Sequence, residues 1–281
     1  MIIEIIKFFV YSLIIVAISK FILVKALRGL AENLNLGAKI IGEIAGIATS
    51  IPELLTVTIA SFKGMLGTTF YNIISSNVIN FLQYFLSIVL NKNYKAIKNK
   101  GIIIQIILVI LTIMIPIGLL KLENSLNIIL AIILILLYFV FIIISKKVHI
   151  KYLSAEEKGI IKEEEKKESI EKNKNKATII YIIWILLAGI LLYFIGDKLG
   201  IVLENLANMF GIPEYILGIL LGFVTSIPEL ITFFEAQRHY KKEEDKIMLG
   251  VIEATNNLLT SNILNLFVIQ AIGIIIYCLI V

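Results

Sequence analysis

The sequence contains very little cysteine, histidine or proline. Its 281 residues include one Cys, two His and four Pro. The single cysteine, Cys278, excludes an internal disulfide and a cysteine-based metal cluster. His149 and His239 lie in or near charged segments, and we predict that both are solvated loop residues rather than metal ligands. Charged residues are also scarce, at 17% of the chain.

Apolar residues take the place of the missing polar ones. They form 59% of the chain, against about 45–50% in soluble domains, and the mean hydropathy is +0.95. The apolar runs are long enough to cross a hydrocarbon core of about 30 Å as helices. The basic residues behind the net charge of +5 cluster between these runs and form no stripe for nucleic acid. The chain is therefore an integral membrane protein, and its expected partner is the lipid bilayer.

The apolar runs predict an all-α, polytopic membrane protein with about eight transmembrane helices. Helices are expected because an open sheet edge is not tolerated in lipid, and no period-two alternation suggests a barrel. The last run is long enough to predict an internal break or a strong tilt. The predicted helices cover residues 3–24, 38–62, 66–90, 101–120, 125–145, 178–196, 214–236 and 248–280.

Lysine and arginine are distributed unevenly between the loops. The loops after predicted helices one, three, five and seven hold 20 of the 26 basic residues. Cytoplasmic loops carry such an excess, so we predict a multi-pass plasma-membrane protein with both termini outside. The predicted N-terminal transmembrane half covers residues 1–145, and the C-terminal transmembrane half covers residues 178–281. The charged linker, residues 146–177, is predicted to be cytoplasmic and to form a solvated helix or flexible tether, with a regulatory cation-sensing role as the alternative.

Four short blocks occur twice in the same order. "ATSIPELLT" at 48–56 matches "VTSIPELIT" at 224–232, "MLG" at 65–67 matches 248–250, and "SSNVIN" at 75–80 matches "TSNILN" at 260–265. Asn72 and Asn257 form the fourth block, each four residues before a Ser-Asn pair. The first copy begins on predicted helix two and the second on helix seven, so the copies run in opposite directions through the bilayer. Inverted repeats of this kind place a binding site at the midplane, where they meet.

The repeated Thr-Ser-x-Pro-Glu motif supplies oxygen atoms to one short stretch of helix. A proline removes an amide donor and frees a carbonyl, and in lipid an unpaired carbonyl costs several kcal/mol unless it finds another partner. A cation is such a partner. A glutamate within the membrane is by default functional, because its insertion costs about 3 kcal/mol. The predicted oxygen donors are Thr49, Ser50 and Glu53 in the first copy and Thr225, Ser226 and Glu229 in the second.

Hard oxygen donors without thiolate or imidazole favour Na⁺, Ca²⁺ or Mg²⁺ over zinc or copper. Glu53 and Glu229 carry two negative charges, which one Ca²⁺ or two Na⁺ would neutralise. Competition between these occupancies is a physical basis for exchange. Ca²⁺ and Na⁺ are thus expected as transported ions, and no cofactor is expected.

The paired motifs resemble the two alpha repeats of the sodium/calcium exchanger, or cation/Ca²⁺ antiporter, superfamily. The resemblance covers predicted helices two, three, seven and eight. It implies alternating access, with Glu53 and Glu229 as shared carboxylates and the Thr49 and Thr225 carbonyls completing a calcium site. It further implies sodium ligands from Ser50, Ser226, Ser76 and Ser261, and a centre lined by Asn80 and Asn265.

Three departures from that family pattern stand out. Asn265 replaces an aspartate of many exchangers, which brings the sodium stoichiometry into question. Ala48, Val224, Ser75 and Thr260 replace motif glycines. Five plus three helices replace the usual five plus five, so an oligomer or a helper subunit could supply the missing pair.

The leading hypothesis is a secondary-active antiporter that exchanges Na⁺ for Ca²⁺. The alternatives are a Ca²⁺/H⁺ antiporter of the same fold and a degenerate, non-transporting homologue. An enzyme is not expected, because GxSxG and HExxH motifs are absent. Glu235 and Glu253 flank a charged loop and are expected to be solvated, whereas Glu43 has no carboxylate counterpart in the second copy, which has Ile219.

Overall fold

A computed structural model describes residues 2–34, 36–119, 127–153, 174–211, 213–240 and 246–280. The structure in these ranges is helical, and eight helices are long and apolar enough to cross a membrane. The predicted all-α, eight-helix architecture is confirmed. The eight spans are Ile2–Leu30, Ala38–Phe62, Leu66–Asn91, Lys100–Gly118, Ile128–Tyr152, Ala177–Leu203, Glu214–His239 and Ile247–Ile280.

Several spans consist of more than one α-helical element, because breaks or π-helical turns interrupt them. The π-helical turns are Ser19–Val24 in the first span and Asn265–Ile269 in the last. In chain order the α-helices are α1 (Ile2–Ile18), α2 (Lys25–Asn33), α3 (Ala38–Thr49), α4 (Ile51–Phe62), α5 (Leu66–Asn91), α6 (Tyr94–Ile97), α7 (Lys100–Leu119), α8 (Ile128–Tyr152), α9 (Lys174–Phe210), α10 (Glu214–Thr225), α11 (Ile227–His239), α12 (Ile247–Leu264) and α13 (Gln270–Ile280).

The second and seventh spans break at equivalent serines of the two repeats. Ser50 separates α3 from α4, and Ser226 separates α10 from α11, with nearly identical backbone angles of φ −81°, ψ −3° and φ −79°, ψ −2°. Pro52 and Pro228 follow within the first turn of the next helix, where a missing N–H group is tolerated. The repeated motif therefore creates two matching helix interruptions inside the membrane.

The last span contains the predicted interruption as well. Its π-helical turn begins at Asn265 and joins α12 to α13. Single π-helical turns inside α-helices are frequent at functional sites because they change the register of the following side chains. This turn begins at the last asparagine of the repeated "SNILN" segment.

Two pairs of helices interlock the repeats. The helix α5 packs on α10, and α12 packs on α3. These are the two most extensive helix contacts in the described part of the chain. Glycines allow these backbones to approach closely: a Cβ added at Gly218 would lie 2.6 Å from the carbonyl oxygen of Thr68, and one at Gly46 would lie 2.7 Å from that of Asn257. Each repeat is thus packed against the other through small residues.

The remaining long helices surround this four-helix core unevenly. The helix α1 packs on α9, while α7 and α8 pack against α12, α13 and the π-helical turn between them. Phe141 of α8 contacts Phe267 with ring centroids 4.7 Å apart, and Phe267 is fully buried. Leu82 occupies the matching place in the "SSN" repeat and is 60% exposed. The first half therefore has two helices that the second half lacks, which gives the predicted five plus three.

Two predictions about polar residues near the helix ends are wrong. His149 lies in the last turn of α8 and is buried rather than solvated, because the helix continues beyond the predicted end. Glu253 is 3% exposed in α12 and forms an ion pair with Arg28. The charged linker 146–177 begins and ends in helix, and its residues 154–173 lie outside the described residues.

The close contact at Gly218 generates a stability prediction. Gly218→Ala places a methyl group against the α5 backbone, so we expect a loss of about 1–3 kcal/mol, as for other overpacked cores. The matched control is Gly189→Ala in α9, where an added Cβ meets nothing within 4 Å. Thermal unfolding in detergent, followed by the fluorescence of Trp184, should show a lower Tm for the first variant only. Equal Tm values for the two variants would contradict the interlocked packing.

Candidate cation site

The two helix breaks bring the repeated glutamates to the centre of the molecule. Glu53 lies in the first turn of α4 and Glu229 in the first turn of α11. Both are 0% exposed. A helix N-terminus favours negative charge, which offsets part of the cost of burying each carboxylate. The remaining negative charge calls for a cation.

Hydroxyl groups from both repeats surround each carboxylate. Ser76 and Thr225 lie beside Glu53. Ser261 and Thr49 occupy the corresponding places beside Glu229. Each glutamate therefore meets the threonine of the opposite repeat, and both repeats are needed to build either half of the site.

Ser261 connects several of the predicted ligands. Its hydroxyl group donates to the Glu229 carboxylate at 3.1 Å and accepts a hydrogen bond from Asn80 at 3.3 Å. The Ser50 hydroxyl lies 3.0 Å from Ser261 and 2.8 Å from the carbonyl oxygen of Gly46, and its single proton is shared between these two acceptors. The hydroxyl of Ser226, which is the counterpart of Ser50, is buried without a hydrogen-bond partner. The repeats are thus related by sequence but not identical in their bonding.

The asparagines of the "SN" motifs form a second layer next to these hydroxyls. The side chain of Asn77 donates to the carbonyl oxygen of Asn262 at 3.3 Å, and that of Asn262 donates back to the carbonyl of Asn77 at 3.1 Å. The amide nitrogens of Asn80 and Asn265 bond Asn262 and Asn77 respectively. The amide nitrogens of all four side chains are engaged in this way, whereas Oδ1 of Asn80 and Oδ1 of Asn265 have no hydrogen-bond partner.

Several buried oxygen atoms of the predicted site have no hydrogen bond of ordinary geometry, although hydroxyl groups lie beside both carboxylates. Leaving a polar group unpaired costs about 1–3 kcal/mol or more, and other unpartnered polar atoms occur elsewhere in the described helices, for example on Gln105 and Gln270. Carboxylate, amide and hydroxyl oxygens without donors are the ligands that Ca²⁺ and Na⁺ prefer. The orphan oxygens are Oε1 and Oε2 of Glu53, Oε2 of Glu229, Oδ1 of Asn80, Oδ1 of Asn265 and Oγ of Ser226.

All ten residues predicted from the sequence lie in this region and are almost completely buried. Their exposure is between 0% and 2%, and the contacts described above link the two repeats at the same point. The separate assignment of calcium and sodium ligands stays a prediction, as do the carbonyl roles. The ten are Thr49, Ser50, Glu53, Ser76, Asn80, Thr225, Ser226, Glu229, Ser261 and Asn265. Glu43 lies apart from them and pairs with Lys39 at the start of α3.

The sequence reasoning missed two symmetrical supports of the site. Asn72 donates to the hydroxyl of Thr56 at 2.7 Å, and Asn257 donates to that of Thr232 at 2.6 Å. Each threonine follows a site glutamate by three residues, and its hydroxyl bonds the backbone carbonyl of that glutamate. The repeated "PELLT" and "PELIT" strings contained the signal, because the threonine recurs at the same distance from the glutamate.

This arrangement defines a polytopic membrane protein built from two inverted repeats, with a candidate cation site of buried oxygen atoms between them. The sequence matches the family model for sodium/calcium exchanger protein over residues 5–147 and 180–281. The chain therefore belongs to the sodium/calcium exchanger family. No curated protein matches it in a sequence comparison.

Solved structures support the same fold. One is the sodium-calcium exchanger NCX_Mj soaked with 10 mM Na⁺ and zero Ca²⁺: the TM-score is 0.55 at 22% identity, over 98% of this chain and 84% of that one. Another is the H⁺/Ca²⁺ exchanger CAX, with a TM-score of 0.66 at 16% identity, over 98% of this chain and 68% of that one. The eight helices thus adopt the exchanger fold.

The buried carboxylates generate a binding prediction. Glu53→Gln and Glu229→Gln each remove one of the two charges in the site, and we expect each to weaken Ca²⁺ binding by at least about tenfold, equivalent to about 1.4 kcal/mol. Equilibrium binding of ⁴⁵Ca²⁺ to the purified protein in detergent would measure this loss.

The matched control for this measurement is Glu43→Gln. Glu43 lies on α3 with its side chain 35% exposed and paired with Lys39, so its variant should bind Ca²⁺ as the unmodified protein does. Wild-type affinity in both site variants would contradict the assignment of the site.

Proposed function

We propose that the protein is a secondary-active antiporter that exchanges Na⁺ for Ca²⁺ by alternating access. The observation that carries the proposal is the set of buried oxygens without donors around Glu53 and Glu229. A site that binds a cation in both conformations of the transporter, and is neutralised by either ion, allows each ion to drive the other. Ca²⁺ and Na⁺ are accordingly substrates rather than resident cofactors.

The charge of the site favours an electroneutral exchange. In the described part of the chain, the carboxylates at the centre are those of Glu53 and Glu229. The other candidate ligands beside them are neutral hydroxyl and amide oxygens. Asn265 is neutral where many exchangers have an aspartate. One Ca²⁺ and two Na⁺ each neutralise two negative charges, so we propose a stoichiometry of two Na⁺ for one Ca²⁺.

The burial of the site supports an active transporter over a degenerate homologue. The ten predicted ligands are enclosed by α3, α4, α5, α10, α11, α12 and the π-helical turn that follows it. The exposed face of α5 around Leu82, which corresponds by the repeat to the face that α7 and α8 cover at Phe267, lies outside this enclosure. A helper subunit would pack on that face, and the site is enclosed without one.

The rival function couples Ca²⁺ to protons within the same fold. The similarity to CAX, which is described as an H⁺/Ca²⁺ exchanger, favours this second candidate. Buried carboxylates can take up protons in place of a metal ion, so two protons would also neutralise the site.

We place the protein in the plasma membrane, with its termini outside and the linker 146–177 in the cytoplasm, because of the lysine and arginine distribution.

Ion flux in proteoliposomes distinguishes the two couplings. We expect an imposed Na⁺ gradient to drive ⁴⁵Ca²⁺ uptake, because Na⁺ competes for the same oxygens. A proton gradient without Na⁺ should leave uptake near the level of protein-free vesicles. Uptake driven by protons alone would favour the rival coupling, and absence of uptake under both gradients would contradict antiport. Glu53→Gln serves as the inactive control.

A second measurement tests the proposed stoichiometry. Exchange of two Na⁺ for one Ca²⁺ moves no net charge, so a potential of about 100 mV set with K⁺ and valinomycin should change the final Ca²⁺ gradient by less than about twofold. Exchange with three Na⁺ would move one charge, worth about 2.3 kcal/mol per 100 mV. A potential-dependent Ca²⁺ gradient would therefore contradict the two-carboxylate charge balance.

A further inference from the structure

A narrow cleft lies between α2, α3 and α12, with a volume of about 10 Å³ for the centre of a water molecule, which is room for about one water. It lies near the ends at which α3 and α12 begin, which is the side predicted to be cytoplasmic. Its lining consists of apolar side chains together with one threonine and an acid–base pair. These residues are Val24, Arg28, Ile41, Ile44, Ala45, Thr232 and Glu253.

The cleft reaches a residue that supports the cation site. Thr232 lies in its lining, donates to the backbone carbonyl of Glu229 at 2.9 Å and accepts a hydrogen bond from Asn257 at 2.6 Å. The space is therefore separated from the Glu229 carboxylate by its own helical turn and this threonine. An ion at the inner end of the cleft would be close to the site.

Glu253 and Arg28 form the polar part of the wall. Glu253 is 3% exposed, and its Oε1 lies 3.5 Å from Nη1 of Arg28, whose side chain is 19% exposed. A buried carboxylate within a membrane helix requires a positive partner. The guanidinium group supplies that charge, and a metal cation at the same carboxylate would supply it equally well.

The pair connects the repeats to a helix outside them. Glu253 belongs to α12, whereas Arg28 belongs to α2, which follows the π-helical turn Ser19–Val24. The helix α2 also packs on α3 and α9, so a movement of α2 that separates the two charges would shift its contacts with those helices as well.

The matching position in the first repeat carries no charge. Thr68 is the residue of the first repeat that corresponds to Glu253. The backbone carbonyl of Thr68 faces Gly218 in the same way as the backbone carbonyl of Glu253 faces Gly42. Thr68 bonds Glu214 through its backbone N–H and its hydroxyl group. The two approaches to the site thus differ, and the carboxylate paired with an arginine belongs to only one of these two equivalent positions.

We propose that this cleft is the access path to the cation site from one side of the membrane. In this path Glu253 binds the passing cation, and Arg28 holds the path closed by occupying the place of that cation. The inference rests on the proposed function, because the ion that would displace Arg28 is the transported Ca²⁺ or Na⁺.

Cysteine accessibility tests the closure without requiring transport. The variants are made in the full-length chain with Cys278→Ala, so that each carries a single cysteine. Ala45→Cys places a thiol in the cleft. Ile47→Cys is the control, because Ile47 lies outside the cleft and is 53% exposed on an apolar helix face. A membrane-impermeant cationic thiol reagent should modify the cleft thiol slowly. Adding Arg28→Gln should raise its modification rate by about tenfold, a shift of one decade in the open population.

Two further variants give the proposal distinct outcomes. Arg28→Lys keeps the positive charge and should keep modification slow, and so should the charge-reversed pair R28E with E253R. Equal modification rates for the cleft thiol with and without Arg28→Gln would overturn the closure. A matching rate increase for the control thiol of Ile47→Cys would indicate general loosening and would also overturn it.

Ca²⁺ protection tests the role assigned to Glu253. In the Arg28→Gln background, Ca²⁺ should slow modification of the cleft thiol severalfold, and adding Glu253→Gln should remove this protection. Protection that persists without the carboxylate would overturn the proposed binding role. These readouts are made without an ion gradient, and Ca²⁺ binding to the Glu229→Gln variant separates failure of the path from failure of the central site.

Discussion

A carboxylate pair buried between helices in a membrane has to be neutralised, and the architecture follows from this requirement. Glu53 and Glu229 are both fully buried, and water is replaced around them by hydroxyl groups, amides and helix N-termini. The breaks at Ser50 and Ser226 create those N-termini inside the membrane, where an uninterrupted helix would offer none. The orphan oxygens that remain make cation binding the means by which the centre becomes neutral.

The small residues of the core are the structural counterpart of that chemistry. Glycines on α3 and α10 let the partner helices approach at backbone distance, and this approach brings serine and asparagine side chains of one repeat within reach of the other. The contact between Ser50 and Ser261 crosses the interface in this way. A wider helix separation would move these hydroxyl groups away from the carboxylates.

The sequence allowed the spans to be predicted, because apolar runs set them, and the repeat allowed ten candidate site residues to be named that the structure buries together. The breaks at Ser50 and Ser226 were not predicted: the sequence analysis expected continuous helices with a proline that frees a carbonyl. Contacts between distant segments were not predictable in the same way. Glu253 was expected to be solvated because it follows a charged loop, but its partner Arg28 lies far away in sequence and buries it.

The supports of the site show a similar limit. Thr56 and Thr232 recur at one spacing, yet only the fold reveals that Asn72 and Asn257 hold them. The unequal bonding of Ser50 and Ser226 could not be read from two nearly identical motifs, because it arises from the different surroundings of each repeat.

The uneven outer helices have a mechanical consequence. Phe267 packs against Phe141 inside the protein, where side chains are close-packed, whereas Leu82 is 60% exposed at the surface of the described chain. A rotation of one repeat relative to the other would therefore have to rearrange packed side chains at Phe267 but not at Leu82. The two halves of this transporter would thus resist movement unequally, although their central motifs are nearly the same.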